Sequence, residues 1–486
     1  MRPVALAVAG LLLCALPARA VVFVSGPTTE APAPHDWTTP EVGFDLSVRA
    51  AMDTAFDQPG ENVVSLLNRA HLHVQTSKGS LHLRLGLRLR WFATAQSLSL
   101  AKRWSEVEPT PGESWVAFPA FGVDWTAGLL DISWGENPVF APADVLTPVD
   151  LRDGPAAGRD ARLVIPAVRA QSRIGLLHWD AAFLPVFVPS KLPLFGNDWG
   201  PFVPGRATAL PDLSKWVDPT TLAYFDSEPY VTRSPQLDLT APQGGVRLTL
   251  RPLGPAELSV TWAEVFDRQP RTTFSPAFES FTRALSGNDQ LGMLDALLRI
   301  QEDESQGIAP LSAEYVRTRV FALDGAVSSG KLRFTLDAGY SPTRVFPTTD
   351  LHTVLHPLAS GALGLEYQGP PILAAGIATD AVFDVGANEK LLYLDAPDVK
   401  PERRTVVLPL LYLVGTEKLF DDRLALTLTA LASSRGDWLA MPQASWAFTD
   451  QQTVQAGALL LDGPTGGIGW MYHHNDEAFV TYRLAL

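Results

Sequence analysis

Cysteine is nearly missing from this 486-residue sequence, with Cys14 the sole example. A disulfide framework is excluded, and so is a thiol nucleophile in whatever remains after an N-terminal leader is removed. Long apolar runs are scarce too. Val4 to Leu16 is one, too short to cross a bilayer as a helix. After it, charges, Gly and Pro break every run before it reaches about 18 residues. Positive charge is in deficit: 38 Lys and Arg face 52 Asp and Glu, for a net charge of −14, which argues against nucleic acid as a partner. The chain also lacks a Gly-x-Ser-x-Gly elbow, a phosphate loop, a dinucleotide fingerprint and a calcium loop. Neither catalysis nor a cofactor is expected.

What the chain does have is alternation. In Leu81-His82-Leu83-Arg84-Leu85-Gly86-Leu87-Arg88-Leu89-Arg90-Trp91 every second residue is apolar. An extended strand puts the leucines and Trp91 on one face and the arginines on the other, whereas a helix would scatter the arginines. Eleven residues is also about the length a tilted strand needs to cross a bilayer. In a soluble sandwich the leucines would meet a core; in an outer-membrane barrel they would meet lipid and the arginines a wet lumen.

Three features decide for the barrel. First, Met1-Arg2, the apolar run and Ala18-Arg19-Ala20 form a secretory signal, so residues 1–20 are expected to be removed on export. Second, 40 prolines and 37 glycines suit many strands and turns, and 13 tryptophans against 9 tyrosines suit membrane interfaces. Third, tight links such as Ser328 to Gly330 contrast with long segments at about 136–160, 188–241 and 268–312. Short periplasmic turns and long extracellular loops are the outer-membrane pattern. Residues 21–42 read as an extended leader and 43–486 as the barrel. Met293 to Leu298 reads as a short helix inside the third loop. The expected fold is all-β: a transmembrane antiparallel barrel of about 16 strands, within about 14 to 18. The last residues, Val480, Tyr482, Leu484 and Leu486, alternate with polar ones. They resemble the terminal signal that barrel-assembly machinery reads, with Leu486 where Phe or Trp is usual.

Gly128 to Asn137, with the strand ending in Trp134-Gly135, and Asp144-Val145-Leu146-Thr147-Pro148-Val149-Asp150-Leu151-Arg152 carry a family resemblance. They resemble a recurrent pattern of a Gram-negative outer-membrane β-barrel family related in form to alginate-export-type porins. Thr147 stands where that family commonly has Asn. Pro185 to Pro193 with Asn197-Asp198-Trp199-Gly200 is similar to the loop that follows. The resemblance implies a barrel and transport across the outer membrane, with no catalytic residues and no fixed substrate.

With the leucines toward lipid, the lumen should receive Arg84, Arg88, Arg90, Arg247, Arg251, Lys331, Arg333 and Arg483, opposed on the same strands by Glu257 and Asp337. Two readings stand. A basic wall would favour small anionic solutes such as carboxylates or uronic-acid sugars. Alternatively, acids from other strands or from an inward loop pair with these cations and fill the lumen. Pro138, Pro142 and Pro148 forbid a ladder over 136–155, where Asp144, Asp150, Arg152 and Asp153 could tie a loop to the rim or fold it inward as a constriction. The 188–241 and 268–312 stretches are further candidates for narrowing the pore. Trp134 is expected at a bilayer interface. His71, His73 and His82 lack the carboxylates or cysteines that would complete a metal site, so no metal is expected. The sequence thus reads as a channel or passive transporter embedded in outer-membrane lipid. A barrel-borne hydrolase and a plugged structural or adhesive barrel are the alternatives.

Overall fold

The Leu81–Ala95 strand keeps the orientation its alternation dictates. In a computed structural model of the chain, Leu85, Leu87, Leu89 and Trp91 are 69, 53, 41 and 41% exposed, whereas Arg90 on the opposite face is 7% exposed. The structure describes residues 37–486 except 55–63, 96–102, 138, 155–160, 192–229, 234–241, 252–253, 288, 310, 349–352, 388, 390, 392–402, 465–468 and 470–471. The expected signal peptide, most of the leader, Asn197 to Gly200 and much of the 188–241 stretch therefore lie outside the described residues.

The same inside-out logic repeats around one closed wall. Its strands are β1 (Glu41–Asp53), β2 (Val64–Lys78), β3 (Leu81–Ala95), β4 (Arg103–Pro111 continuing as Ser114–Ala120), β5 (Val123–Leu130) and β6 (Ile165–Ile174). Then come β7 (Leu177–Leu184), β8 (Gln243–Leu250), β9 (Ala256–Phe266), β10 (Arg317–Ser329), β11 (Leu332–Pro347) and β12 (Thr353–Gln368). The last six are β13 (Ile372–Gly386), β14 (Arg403–Leu419), β15 (Leu424–Ser433), β16 (Trp438–Ala447), β17 (Gln452–Asp462) and β18 (Glu477–Ala485). Each pairs antiparallel with its neighbours in sequence, and β18 returns to β1, with Val48 opposite Tyr482, to close the ring. Both halves of β4 lie along β3, offset by a one-residue irregularity at Gly112-Glu113.

The described wall therefore has 18 strands, which corrects the expected 16. Strands whose alternation is blunted by small residues and proline are the hardest to count from sequence. In β12 and β13, Gly364 faces Gly376, and a side chain at either would strike the Tyr412 hydroxyl lying across them. Packing demands removed the periodic signal there.

Two-residue turns at Gly79-Ser80, Phe121-Gly122, Gly175-Leu176 and Gly330-Lys331 mark one rim, while 131–164, 185–242, 267–316 and 387–402 all join strands at the other. The described part of the 185–242 segment, read from the sequence as a long loop without a convincing strand, does contain one. Tyr230–Arg233 pairs parallel with Leu311–Glu314, which pairs with Arg271–Phe274. Beside this small sheet lie helices α1 (Pro276–Gly287) and α2 (Gln290–Ser305). Helix α2 includes the helical stretch expected at Met293 to Leu298. Met293, Ala296, Leu297 and Ile300 recur at helical spacing and are buried together.

The outward face is sorted by height. Phe118, Phe121, Phe420, Trp446 and Phe448 stand at the tight-turn rim, and Trp91, Trp262, Phe321, Tyr340 and Trp438 near the long-loop rim. Among the described wall side chains, outward-pointing charge is confined to the ends of strands. Lys78 and Glu417 are at the tight turns; Glu264, Arg317, Arg319, Asp384 and Asp462 are at the long loops.

Two glycines test this wall at different depths. Gly128, at φ 144°, lets β5 approach β4 so closely that a Cβ would overlap the Ser114 carbonyl oxygen. Gly330, at φ 59°, has open space around it. Gly330→Ala is expected to cost about 1 kcal/mol of left-handed strain. Gly128→Ala should cost clearly more, because the neighbouring backbone must move. Thermal unfolding of the two variants, followed by circular dichroism, checks the order.

Candidate functional site

After Leu130 the chain leaves the wall and turns into the barrel. Leu130, Ile132, Trp134, Ala143 and Leu146 bury themselves against Ile165, Ala167, Ala182, Leu184, Ala263, Val265, Val320 and Ala322 on the inner faces of β6 to β10. Apolar contact thus holds the loop inside, and local polar bonds shape it. Thr147 donates to the Ile132 carbonyl and accepts its N–H, both at 2.9 Å, so the hydroxyl closes the loop on itself. Gly135, at φ 110°, fits between Ala141 and the Asp337 carboxylate, where a side chain would clash.

The segment Trp134-Gly135-Glu136-Asn137 is the centre of the site. Trp134, expected at a bilayer interface, is instead 1% exposed and donates from its indole to Asp180 of β7 at 2.9 Å. An indole N–H buried away from water needs such an acceptor. The Asn137 N–H donates to Asp337 of β11 at 2.6 Å, and the Glu136 N–H to the same carboxylate at 3.3 Å. The Asn137 side chain donates to the Tyr412 hydroxyl of β14 at 2.8 Å while its oxygen accepts from Val139 and Phe140. Anchors on β7 and β14 stand seven strands apart in a ring of 18, so this segment forms a strap across the lumen.

Charge completes the attachment. Glu136 accepts from Arg247 of β8 at 2.9 Å and from Arg333 of β11 at 2.6 Å; these arginines also meet Asp324 and Glu366 respectively. Asp153 accepts from Arg69 and Arg90, both at 2.6 Å. Arg152 reaches Glu108 at 2.6 Å, Asp150 at 2.7 Å and Glu106 at 3.3 Å. Arg162 holds Asp131 at 2.7 Å and also pairs with Asp144. Burial pushes the Asp153 carboxyl up, but the adjacent Arg69 and Arg90 guanidinium groups outweigh it and hold it well below the usual carboxylate range. Burial disfavours the charged Arg152 side chain, yet Asp150 and Glu108 keep it firmly protonated.

The eight cations expected along the lumen divide by their partners. Arg90, Arg247 and Arg333 belong to the ion-paired network just described. Arg88 contacts His71 and donates to the Arg162 carbonyl at 2.8 Å. Arg84 stands 3.8 Å from Glu113, and Arg251 is 3.0 Å from Glu257 with its side chain 56% exposed. Lys331 lies in the tight turn before β11, and Arg483 is exposed on β18; neither makes an ion pair among the described residues. The wall is therefore no uninterrupted basic surface, and the paired alternative describes its middle. Asp144, Asp150, Arg152 and Asp153 all engage partners, as an inward-folded loop requires. Among the described residues the strap crossing the lumen comes from 131–164, whereas described parts of 268–312 fold as the two helices and small sheet. His82 shares a hydrogen bond with Ser77 at 2.8 Å.

Not expected from sequence were Asp180 as the acceptor for Trp134, Tyr412 and Thr335 as the acceptors for the Asn137 amide (the latter at 3.4 Å), and Glu136 as the carboxylate shared by Arg247 and Arg333. The available signal was Trp-Gly-Glu-Asn-Pro, a compact set of donors and acceptors shortly after a strand.

No protein-family model matches the chain, and no curated protein matches it. Solved structures do. The chain is similar to Pseudomonas aeruginosa OccK5 (OpdH) at 9% identity and a TM-score of 0.45, over 92% of this chain and 98% of that one. It is similar to Acinetobacter baumannii OccAB3 at 8% identity and 0.45, over 92% and 99%. It is also similar to P. aeruginosa OccK2 (OpdF) in complex with glucuronate, at 8% identity and 0.42, over 92% and 96%.

Breaking the Asp153 pairs tests the anchoring of the loop. Asp153→Asn removes the carboxylate shared by Arg69 and the buried Arg90, leaving Arg90 with Glu106 at 3.1 Å, and about 3 kcal/mol of stability should be lost. Limited proteolysis should then cut within 131–164 before the wall unfolds. In the native protein the depressed Asp153 pKa sets the sign of the pH response. Its contribution is complete above the unfolded carboxylate value of about 3.9 and disappears only as pH falls through the lower folded value. Acidification from neutral pH to about 5 should therefore leave the loop protected.

Proposed function

We propose that the protein is an outer-membrane barrel that passes small polar solutes by passive diffusion, with the 131–164 loop as its constriction. The carrying observation is the sorting of the wall: an outward apolar face, free of charge between two aromatic girdles among the described side chains, encloses an inward face of ion-paired and hydrogen-bonding side chains. Such a face suits hydrocarbon flanked by headgroups, and such an interior suits water. Long loops gathered at one rim fit an extracellular mouth. The reading is of a porin-like channel, and the alginate-export affiliation is the finer form of the same proposal.

Anionic solutes are the preferred class in this reading. The preference rests on Arg483, which makes no ion pair among the described residues, and on Arg84, whose partner Glu113 is held only at 3.8 Å. It is accordingly weaker than a ladder of eight free cations would give.

Planar-bilayer conductance tests both levels. Discrete steps with modest anion selectivity are expected; silence at high protein load would show a plugged barrel instead. Arg84→Gln with Arg483→Gln should lower the anion preference. Glu136→Gln should raise it, by releasing Arg247 and Arg333 from their shared carboxylate. Unchanged selectivity in both variants would refute the anion assignment while leaving the channel intact. The lipid-facing assignment has its own test. Leu323→Arg, in the apolar band of β10, should cost about 2–4 kcal/mol in vesicle refolding, whereas a wall facing water would tolerate it.

A further inference from the structure

We infer that the outward-facing pair Arg317 and Arg319, at the long-loop end of β10, binds the phosphate of a glycolipid headgroup in the surrounding membrane leaflet. The inference rests on the membrane reading above and goes beyond it by assigning a lipid site. Among the described outward-pointing side chains these two are the only cations at that rim. Their cross-strand neighbour Glu264 of β9 reaches Arg317 at 3.1 Å and Arg319 at 3.7 Å. One carboxylate between two guanidinium groups leaves a unit of positive charge uncompensated.

Geometry favours an external anion over an internal one. Arg317 is fixed, since it donates to the Pro242 carbonyl and its guanidinium carbon lies 5.6 Å from the centre of the Phe266 ring. Arg319 is free to reach outward, with its side chain 65% exposed. One step down the same strand face is Phe321, flanked by Trp262 on β9 and Tyr340 on β11. Those rings mark the level where hydrocarbon gives way to headgroups, so the arginines stand where lipid phosphates lie. A planar guanidinium forms paired hydrogen bonds to a phosphate, and two of them side by side suit a phosphorylated sugar better than a zwitterionic head. At the opposite rim the outward charges are Lys78 and Glu417, which are well separated in the ring and form no such pair.

Native mass spectrometry of the full chain in detergent, with added diphosphoryl lipid A, tests the site. Wild type should retain the lipid, the double variant Arg317→Gln with Arg319→Gln should bind it about tenfold more weakly, and Lys78→Gln should not change it. Glu264→Gln should tighten retention, because it removes the internal competitor. Equal retention by the double variant, or equal retention of the same glycolipid stripped of phosphate, overturns the proposal. Full displacement by inorganic phosphate would assign the pair to a free anion and also overturn the lipid site. Should the double variant fail to fold, Arg319→Gln alone carries the test, since that side chain is exposed. Vesicle insertion run in parallel separates the levels: a wild type that never inserts strikes the membrane reading, whereas insertion with unchanged lipid retention strikes only this site.

Discussion

Closure of the hydrogen-bonded ladder is the constraint on which the rest depends. With β18 paired to β1, each described wall strand is paired on both sides. Side chains are then free to serve two solvents. The strict period of two sends each residue to one or the other, and a slip of one residue would exchange the leucines of β3 for its arginines. The separation of apolar and polar faces is thus a property of register, fixed before any tertiary contact in the lumen is made.

Within that ring the 131–164 loop solves a different problem. Guanidinium groups that face an enclosed interior are costly unless paired. The wall supplies some of the acids itself, as Asp324 and Glu366 do, and the loop supplies Glu136 and Asp153. Its apolar side chains meanwhile cover the inner faces of β6 to β10, where small residues such as Ala167, Ala182 and Ala263 leave room. Charge and packing therefore select the same position for the loop. The interior is divided into a packed side under the loop and a polar remainder lined by Thr427, Thr429, Gln443 and Gln455 on β15 to β17.

How much of this could be read in the chain follows from where the signal lies. The β3 alternation, the tight turns and the long connections all act locally, and they gave the fold class and the facing of the arginines. Strand number was less legible, because β12 and β13 use glycine to make room for Tyr412, a contact between residues far apart in sequence. The candidate site was half legible. The charged residues of the 131–164 loop stood out by their setting among prolines, but the partners of Asp153 and Arg152 on β2, β3 and β4 cannot be matched from one sequence. Trp134 shows the limit most plainly: an aromatic at a strand end suits an interface and a core equally well, and Asp180, which decides the matter, is 46 residues away.

The bond between Asn137 and Tyr412 joins residues 275 positions apart. Bringing such distant segments together is slow, and the acceptor strand must already be in place. The far anchor of the strap therefore waits for β14, whereas its contacts to Asp180 and Asp337 need only earlier strands. Attachment of the strap can thus begin on one side of the growing ring and be completed on the other late in biogenesis.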